Sequence, residues 1–262
     1  STGWSGTGNS ATKNVTYDSA YGTLPTVTKT GYTFLGWSLL PEGYTQVEYI
    51  TFTGEQTVDT GVSLSSYNGN YSIEVTEKHT STSHMYIVFT SANTSVESRA
   101  NLRITGDNIS SFVGSDTDPD IMSLPISIGE INNIKFDANS ANSYRSLVVN
   151  GNVTYSNDPF ISQPVPNVRI SHAQSQMYSG NIYDLKIYGN GTLVRHLIPC
   201  TRNSDGKAGF YDIVGGSFYS NAATGTDLTA GSAAYITAST AVKEDRNHTI
   251  YAHWTPSTYT LT

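Results

Sequence analysis

The sequence contains little cysteine and little charge. Cys200 is the single cysteine, so the chain can form no internal disulfide and no metal site of the Cys/His type. Charged residues make up 13% of the chain, against roughly 25% in average soluble domains. The net charge is −7, and the 14 Lys and Arg residues form no cluster. Nucleic acid and anionic membranes bind clustered cations, so neither is expected as a partner.

Long apolar runs and helical periodicity are also missing. No apolar run approaches the roughly 18 residues of a membrane span, so membrane insertion is not expected. No segment repeats apolar residues at the 3.6-residue period of an amphipathic helix. The chain starts at Ser1 without a signal peptide or an initiator Met, and we therefore expect a cut piece or a processed chain.

Apolar and polar residues instead alternate with a period of two along most of the chain. Such runs, separated by Gly, Asn, Asp and Pro, are typical of short β-strands. The stretches VVNGNVTY (148–155) and KIYGNGTLVR (186–195) place Asn-Gly between two alternating runs, which predicts a β-hairpin at each. Many short strands without helices predict a mainly β chain, folded as a sandwich or a barrel.

Two separated segments resemble the two parts of one small repeat. Residues 14–37, NVTYDSAYGTLPTVTKTGYTFLGW, and residues 236–254, ITASTAVKEDRNHTIYAHW, resemble the internalin-type B-repeat, or Listeria–Bacteroides repeat. In that family a short variable loop joins the two parts, whereas here residues 38–231 lie between them. The resemblance implies a small β-grasp-like domain, split into residues 1–37 and 232–256.

The resemblance also assigns individual residues within this repeat. Trp37 and Trp254 correspond to its core aromatics, and His253 corresponds to a variable position that should face outward. Residues 257–262 correspond to the first strand of a following repeat. That spare strand raises the hypothesis of head-to-tail self-association, since an unpaired strand edge is a template for strand addition.

The intervening residues 38–231 resemble another family. The segments 40–62 and 180–226 resemble the concanavalin A-like, or laminin-G-like, jelly-roll domains. The resemblance implies a two-sheet sandwich whose first and last strands are neighbours. Exposed loops accept an inserted domain when its ends lie close together, so the sequence predicts a sandwich inserted into the B-repeat.

Candidate catalytic and metal-binding residues are few. Glu74 and Glu77 are three positions apart on a predicted strand, which places their carboxylates on opposite faces, and both are expected to be solvated. No paired carboxylates of the glycosidase type occur, so the chain is predicted not to be an enzyme. No cofactor is expected. The alternating Asp116, Asp118 and Asp120 form the single candidate for a calcium loop.

The resemblances imply a non-catalytic module of a secreted bacterial or phage-encoded surface protein. On this hypothesis the B-repeat is a stalk, and the lectin-like sandwich binds a host or bacterial surface glycan or protein outside the cell. A ligand site is expected within residues 80–175, with Tyr86, Arg99 and His172 as candidate binding residues. The alternatives are a structural spacer or filament subunit and, third, a glycan-cleaving enzyme.

Overall fold

The chain folds into two compact units, each described by itself below. The structure is a computed structural model that describes residues 10–83, 85–90, 99–114, 120–158, 167–171 and 177–258. The first unit, here called the repeat unit, contains residues 1–46 and 233–262. The second, here called the sandwich unit, contains residues 47–232.

The described residues form short strands and two single-turn helices, so the predicted mainly β class is confirmed. The 3₁₀ helices span Leu64–Tyr67 and Ser140–Asn142. The strands are β1 Tyr32–Ser38, β2 Tyr44–Gln46, β3 Ile50–Thr53, β4 Val58–Ser63, β5 Asn70–His79, β6 Met85–Phe89, β7 Arg99–Thr105, β8 Asn108–Gly114, β9 Asp120–Pro125, β10 Asn132–Asn139, β11 Tyr144–Val149, β12 Asn152–Ser156, β13 Asn167–Ile170, β14 Ser179–Gly189, β15 Thr192–Arg202, β16 Ala208–Asp212, β17 Ser217–Tyr219, β18 Thr229–Ala230 and β19 Tyr251–Pro256.

Two antiparallel sheets form the sandwich unit. The larger sheet has the order β12-β11-β10-β5-β14-β15-β16-β17, with β3 paired to β14 and β18 paired to β3. The second sheet has the order β4-β13-β6-β7-β8-β9. Apolar side chains from both sheets form one core, which includes Phe52, Ile73, Leu102, Phe136 and Ile187. The predicted two-sheet sandwich is therefore the fold of this unit.

Both predicted hairpins are present, and their turns explain why the sequence specifies them. Asn150 and Gly151 connect β11 to β12 with φ values of 50° and 84°. Asn190 and Gly191 connect β14 to β15 with φ values of 51° and 74°. Two consecutive residues with positive φ match the right-handed twist of a hairpin, and Asn-Gly adopts this conformation most readily.

The repeat unit brings together the two ends of the chain. Strand β1 pairs antiparallel with β19, and the ring of Phe34 packs 5.7 Å from Trp37 and 5.3 Å from Trp254. Its small core contains Tyr21, Ile236 and Val242, with Trp37 packed against it. Both predicted repeat segments thus lie in one unit.

Gly36 occupies a position in β1 that requires glycine. Its φ is +155°, at a register shift between Phe34 and Gly36 in the pairing of β1 with β19. A Cβ atom at this position would lie 2.5 Å from Cγ of Tyr235, closer than two such carbons can approach. The glycine of GYTFLGW therefore permits the close packing of Tyr235 on β1.

The boundary of the repeat unit lies after residue 46, whereas the sequence analysis placed it after residue 37. Residues 38–46 are held within the repeat unit by hydrogen bonds. Oγ of Ser38 lies 3.1 Å from Nε2 of His253, and the Ala234 amide donates to the Gln46 carbonyl at 2.9 Å. The second boundary, between residues 232 and 233, differs by one residue from the sequence-based position.

The expectation that His253 faces outward is wrong. His253 is buried, and its Nε2 atom lies 3.1 Å from Oγ of Ser38 and 2.9 Å from the carbonyl oxygen of Leu40. The last residue of β1, Ser38, and the segment that follows it supply the two partners. Since that segment follows Trp37, where the sequence departs from the family pattern, the family comparison could not reveal this contact.

Candidate ligand-binding face

The outward face of β6 to β9 carries a group of side chains suited to ligand binding. In β7, Ala100, Leu102 and Ile104 enter the core, so the alternating Asn101 and Arg103 lie on the opposite face. The strand register adds the residues that lie opposite them on the neighbouring strands. The resulting group, called the Arg103 face below, contains Tyr86, Asn101, Arg103, Ser110, Phe112, Ile121 and Ser123.

Arg103 lies at the centre of this face. Its guanidinium carbon is 4.1 Å from the centroid of the Phe112 ring, which is within the range of a cation–π contact. Tyr86 lies directly opposite Arg103 on β6, and Ser110 lies opposite it on β8. The stacking on Phe112 fixes the plane of the guanidinium group, so its N–H donors have a defined direction before any ligand binds.

Two buried donors on this face have no acceptor in the described part of the chain. They are Nε of Arg103 and Nδ2 of Asn101, two positions apart on β7. Oδ1 of Asn101 accepts a hydrogen bond from the Thr90 amide at 3.0 Å, which fixes the amide group. A buried donor without an acceptor costs about 1 to 3 kcal/mol. Because both atoms are buried, a ligand on this face can reach Arg103 only through the exposed part of its side chain.

One end of the same sheet carries an ion pair. Nε of Arg169 on β13 is 3.4 Å from Oδ2 of Asp59 on β4, and Nδ2 of Asn167 donates to Oδ1 of Asp59 at 3.1 Å. This pair neutralises the second arginine on the outward face. Arg103 therefore carries the uncompensated positive charge among the described residues of this sheet.

The structure describes the side chain of only one of the three predicted binding residues. Tyr86 lies on the Arg103 face and is 8% exposed. Arg99 is the first residue of β7, but its side chain lies outside the described part of the chain, as does the whole of His172. These two assignments therefore stay predictions.

The calcium candidate also falls largely outside the described residues. Asp116 and Asp118 are not described, and Asp120 is described only as the first backbone position of β9. Within the described ranges, no group of three or more His, Cys, Asp or Glu side chains could hold a metal ion.

Sequence analysis did not select Asn101, Arg103 or Phe112. A signal was present in the stretch ANLRIT (100–105), where two polar residues alternate with apolar ones. Alternation shows that Asn101 and Arg103 share one face of a strand. It does not show that Phe112 lies beneath the guanidinium group, because that contact depends on the pairing of β7 with β8.

The two candidate carboxylates lie on opposite faces of β5, but the expectation that both are solvated is wrong. Glu74 faces outward, 3.6 Å from Nζ of Lys135. Glu77 is fully buried on the core face, where it accepts hydrogen bonds from Oη of Tyr178 at 2.7 Å and from Nδ2 of Asn132 at 3.0 Å. Since β5 separates the two carboxylates, they cannot act together on one substrate.

Cys200 is buried, and burial raises the pKa of its thiol to about 12. The thiol is therefore protonated at neutral pH and is a poor nucleophile. We expect a thiol reagent such as DTNB to label the native chain much more slowly than the chain unfolded in guanidinium, which should release one equivalent. Equal labelling rates in the two states would contradict the burial of Cys200.

Comparison with known proteins matches one part of the chain to a family. Residues 3–64 match the model of the Listeria-Bacteroides repeat domain. The matched range continues past Trp37 through β3 and β4, which belong to the sandwich unit. Residues 236–254 lie outside it, so their role as the second part of a split repeat stays a prediction. No curated protein matches the chain.

Several solved structures are similar to the chain over part of its length. The carbohydrate-binding module CBM40 of the Ruminococcus gnavus IT-sialidase, bound to alpha2,3 sialyllactose, is 19% identical, with a TM-score of 0.43 over 58% of this chain and 91% of that one. Domains LG4-5 of the mouse laminin alpha1 chain are 11% identical, with a TM-score of 0.45 over 57% and 44% of the two chains. The botulinum neurotoxin serotype D binding domain is 13% identical, with a TM-score of 0.40 over 54% and 38%.

In the described ranges, no helix has the length and apolar character needed to span a membrane.

Proposed function

We propose that the sandwich unit is a lectin-like, non-catalytic module that binds a glycan on the Arg103 face. The observation that carries this proposal is the guanidinium group of Arg103, which is partly exposed, stacked on Phe112 and without an ion pair among the described residues. A sugar presents closely spaced hydroxyl and carbonyl oxygens, which accept hydrogen bonds from an arginine.

Neighbouring side chains support the same function. Ile121, opposite Phe112 on β9, is 47% exposed and provides an apolar surface for the C–H groups of a sugar ring. Ser110 and Ser123, whose hydroxyl oxygens are 3.2 Å apart, add further hydrogen-bonding groups beside Arg103. A mixture of apolar contact and a few fixed polar groups is typical of small-ligand sites.

The setting of the module belongs to the same proposal. The match of residues 3–64 to a repeat domain supports a chain in which the repeat unit is one element of a longer surface protein. We infer an extracellular, cell-surface location, where the module would meet glycans of a host or of other bacteria.

A glycan array with the intact chain, followed by calorimetric titration of the best ligand, tests this function. Replacing Arg103 with alanine should weaken binding by about tenfold or more, since hydrogen bonds to a charged group contribute roughly 1.5 to 3 kcal/mol. The matched control is Arg202→Ala, which removes an arginine paired with Asp205 at a distance of 2.6 Å. Binding should be unchanged in this control. Failure to bind any glycan, or equal binding by the Arg103 variant, would contradict the proposal and favour a structural role.

A further inference from the structure

The charge of the Arg103 face points to the chemical class of its ligand. We propose that the glycan carries an anionic group, a carboxylate or a sulfate, which Arg103 binds. This inference rests on the proposed function, since it specifies the ligand of the same face.

The first argument is the absence of a carboxylate partner for Arg103. The chain has 21 Asp and Glu residues against 14 Lys and Arg, so acceptors for an arginine are abundant. Three other arginines of the sandwich unit form ion pairs: Arg169–Asp59, Arg195–Asp212 and Arg202–Asp205. Among the described residues, Arg103 forms no ion pair, and its guanidinium group is instead stacked on Phe112.

The second argument is the composition of the surrounding surface. The outward residues of β6 to β9 whose side chains are described include no Asp or Glu, so no carboxylate there would repel an anion. Arg103 itself is partly exposed, whereas its Nε atom is buried. A charge at a protein surface interacts more strongly with an opposite charge than a charge in bulk water does, because the effective dielectric constant there is lower.

The third argument is the geometry of the donors. A guanidinium group presents parallel N–H donors that match the two oxygens of a carboxylate or a sulfate. Stacking on Phe112 fixes this fork, and the hydrogen bond from the Thr90 amide fixes the Asn101 amide two positions away. A neutral hydroxyl group would satisfy one donor but would leave the charge of Arg103 without a counter-ion.

Matched glycans test this inference. Oligosaccharides that bear a uronate, a sialate or a sulfate are titrated into the intact chain, each beside its neutral parent or its carboxyl-reduced derivative. We expect the acidic member of the preferred pair to bind about tenfold or more tightly, in keeping with one charge-assisted hydrogen bond. The preference between carboxylate-bearing and sulfated ligands identifies which of these two anionic groups the site binds.

Three variants separate the parts of the site. Arg103→Gln keeps hydrogen-bonding capacity and removes the charge, so it should weaken binding of the acidic glycan to the level of its neutral parent. Arg103→Lys should restore part of the difference, since it keeps the charge without the planar fork. Asn101→Ala, at a buried position of the same strand, should leave the preference for the acidic over the neutral glycan unchanged. Thermal midpoints close to that of the unchanged chain would show that each variant is folded.

The outcomes distinguish this inference from the function on which it rests. Equal binding of an acidic glycan and its neutral parent would overturn the anionic ligand and leave glycan binding intact. Binding of no glycan at all would overturn both. If an acidic peptide bound as tightly as the best acidic glycan and lost its affinity in Arg103→Gln, the site would recognise an anion on a protein, and the glycan assignment would be overturned.

Discussion

Replacing Glu77 with alanine is expected to reduce the free energy of unfolding of the sandwich by about 3 to 5 kcal/mol. The Glu77 carboxylate accepts hydrogen bonds from Tyr178 Oη and Asn132 Nδ2, and Nδ1 of His79 lies 3.1 Å from it. All four side chains are fully buried. Without the carboxylate, Nδ1 of His79 would lose its partner and Tyr178 Oη would keep only the Asn181 carbonyl at 3.3 Å, whereas Asn132 Nδ2 would keep two backbone carbonyls.

The protonation state of Tyr178 strengthens this expectation. Burial, together with the neighbouring Glu77 carboxylate, raises the pKa of Tyr178 well above its usual value of 10.0. The hydroxyl group therefore stays protonated at physiological pH and must donate its proton to an acceptor. In the native core the nearer acceptor is Glu77 at 2.7 Å, and the Asn181 carbonyl lies at 3.3 Å.

Glu74 provides the matched control for this experiment. It lies on the same strand, faces outward and is 32% exposed at its side chain, paired with Lys135. Glu74→Ala should change stability by no more than about 1 kcal/mol, because exposed ion pairs contribute little. Urea denaturation followed by far-ultraviolet circular dichroism measures both variants, since the three tryptophans lie outside the sandwich unit. Equal effects of the two substitutions would contradict the role assigned to the buried network.

Replacing Asp212 with alanine is expected to destabilise the sandwich by about 2 to 4 kcal/mol. Oδ1 of this fully buried carboxylate accepts from the amides of His196 and Val214, both at 3.0 Å. Oδ2 accepts from the Gly215 amide at 2.9 Å and from Nη1 of Arg195 at 3.1 Å. One side chain therefore fixes the turn after β16 and also connects it to β15.

The glycine of this turn supports the same interpretation. A Cβ atom on Gly215 would lie 2.5 Å from Oδ2 of Asp212, so the carboxylate can approach the backbone only because residue 215 has no side chain. The control is Asp205→Ala, which removes an exposed carboxylate paired with Arg202 in another turn. Differential scanning calorimetry should show a lower midpoint for Asp212→Ala and little change for Asp205→Ala. Equal midpoints for the two variants would refute the prediction.

Local sequence features predicted the elements of the sandwich well. The hairpins at Asn150 and Asn190 followed from the conformational preference of two adjacent residues, which does not depend on the rest of the fold. The strands followed from alternation, which depends only on one side of a strand being buried. Position 37 as the start of the insertion followed from a family pattern, and nearby hydrogen bonds keep residues 38–46 with the repeat unit.

The sequence predicted less of the candidate site than of the strands and hairpins. Tyr86 was selected from the middle of the inserted segment, but Arg103 and Asn101 were not. Nothing in the sequence shows that Arg103 forms no ion pair with the described carboxylates, since that depends on where acidic side chains far apart in the chain lie in the fold. The same limit applies to Phe112, which contacts Arg103 through strand pairing.

The sequence by itself determined that the chain is mainly β, where its hairpins turn, and that Glu74 and Glu77 lie on opposite faces of a strand. Only the tertiary structure decided which of those faces is covered, and it buried Glu77 and His253 where solvated side chains were expected. It also decided that Arg103 lies on Phe112, with its buried Nε donor lacking an acceptor in the described part of the chain. The physical reason is the distance along the chain over which each effect acts. Alternation and turn preferences act over a few neighbouring residues, whereas burial and strand pairing depend on contacts between strands far apart in the chain.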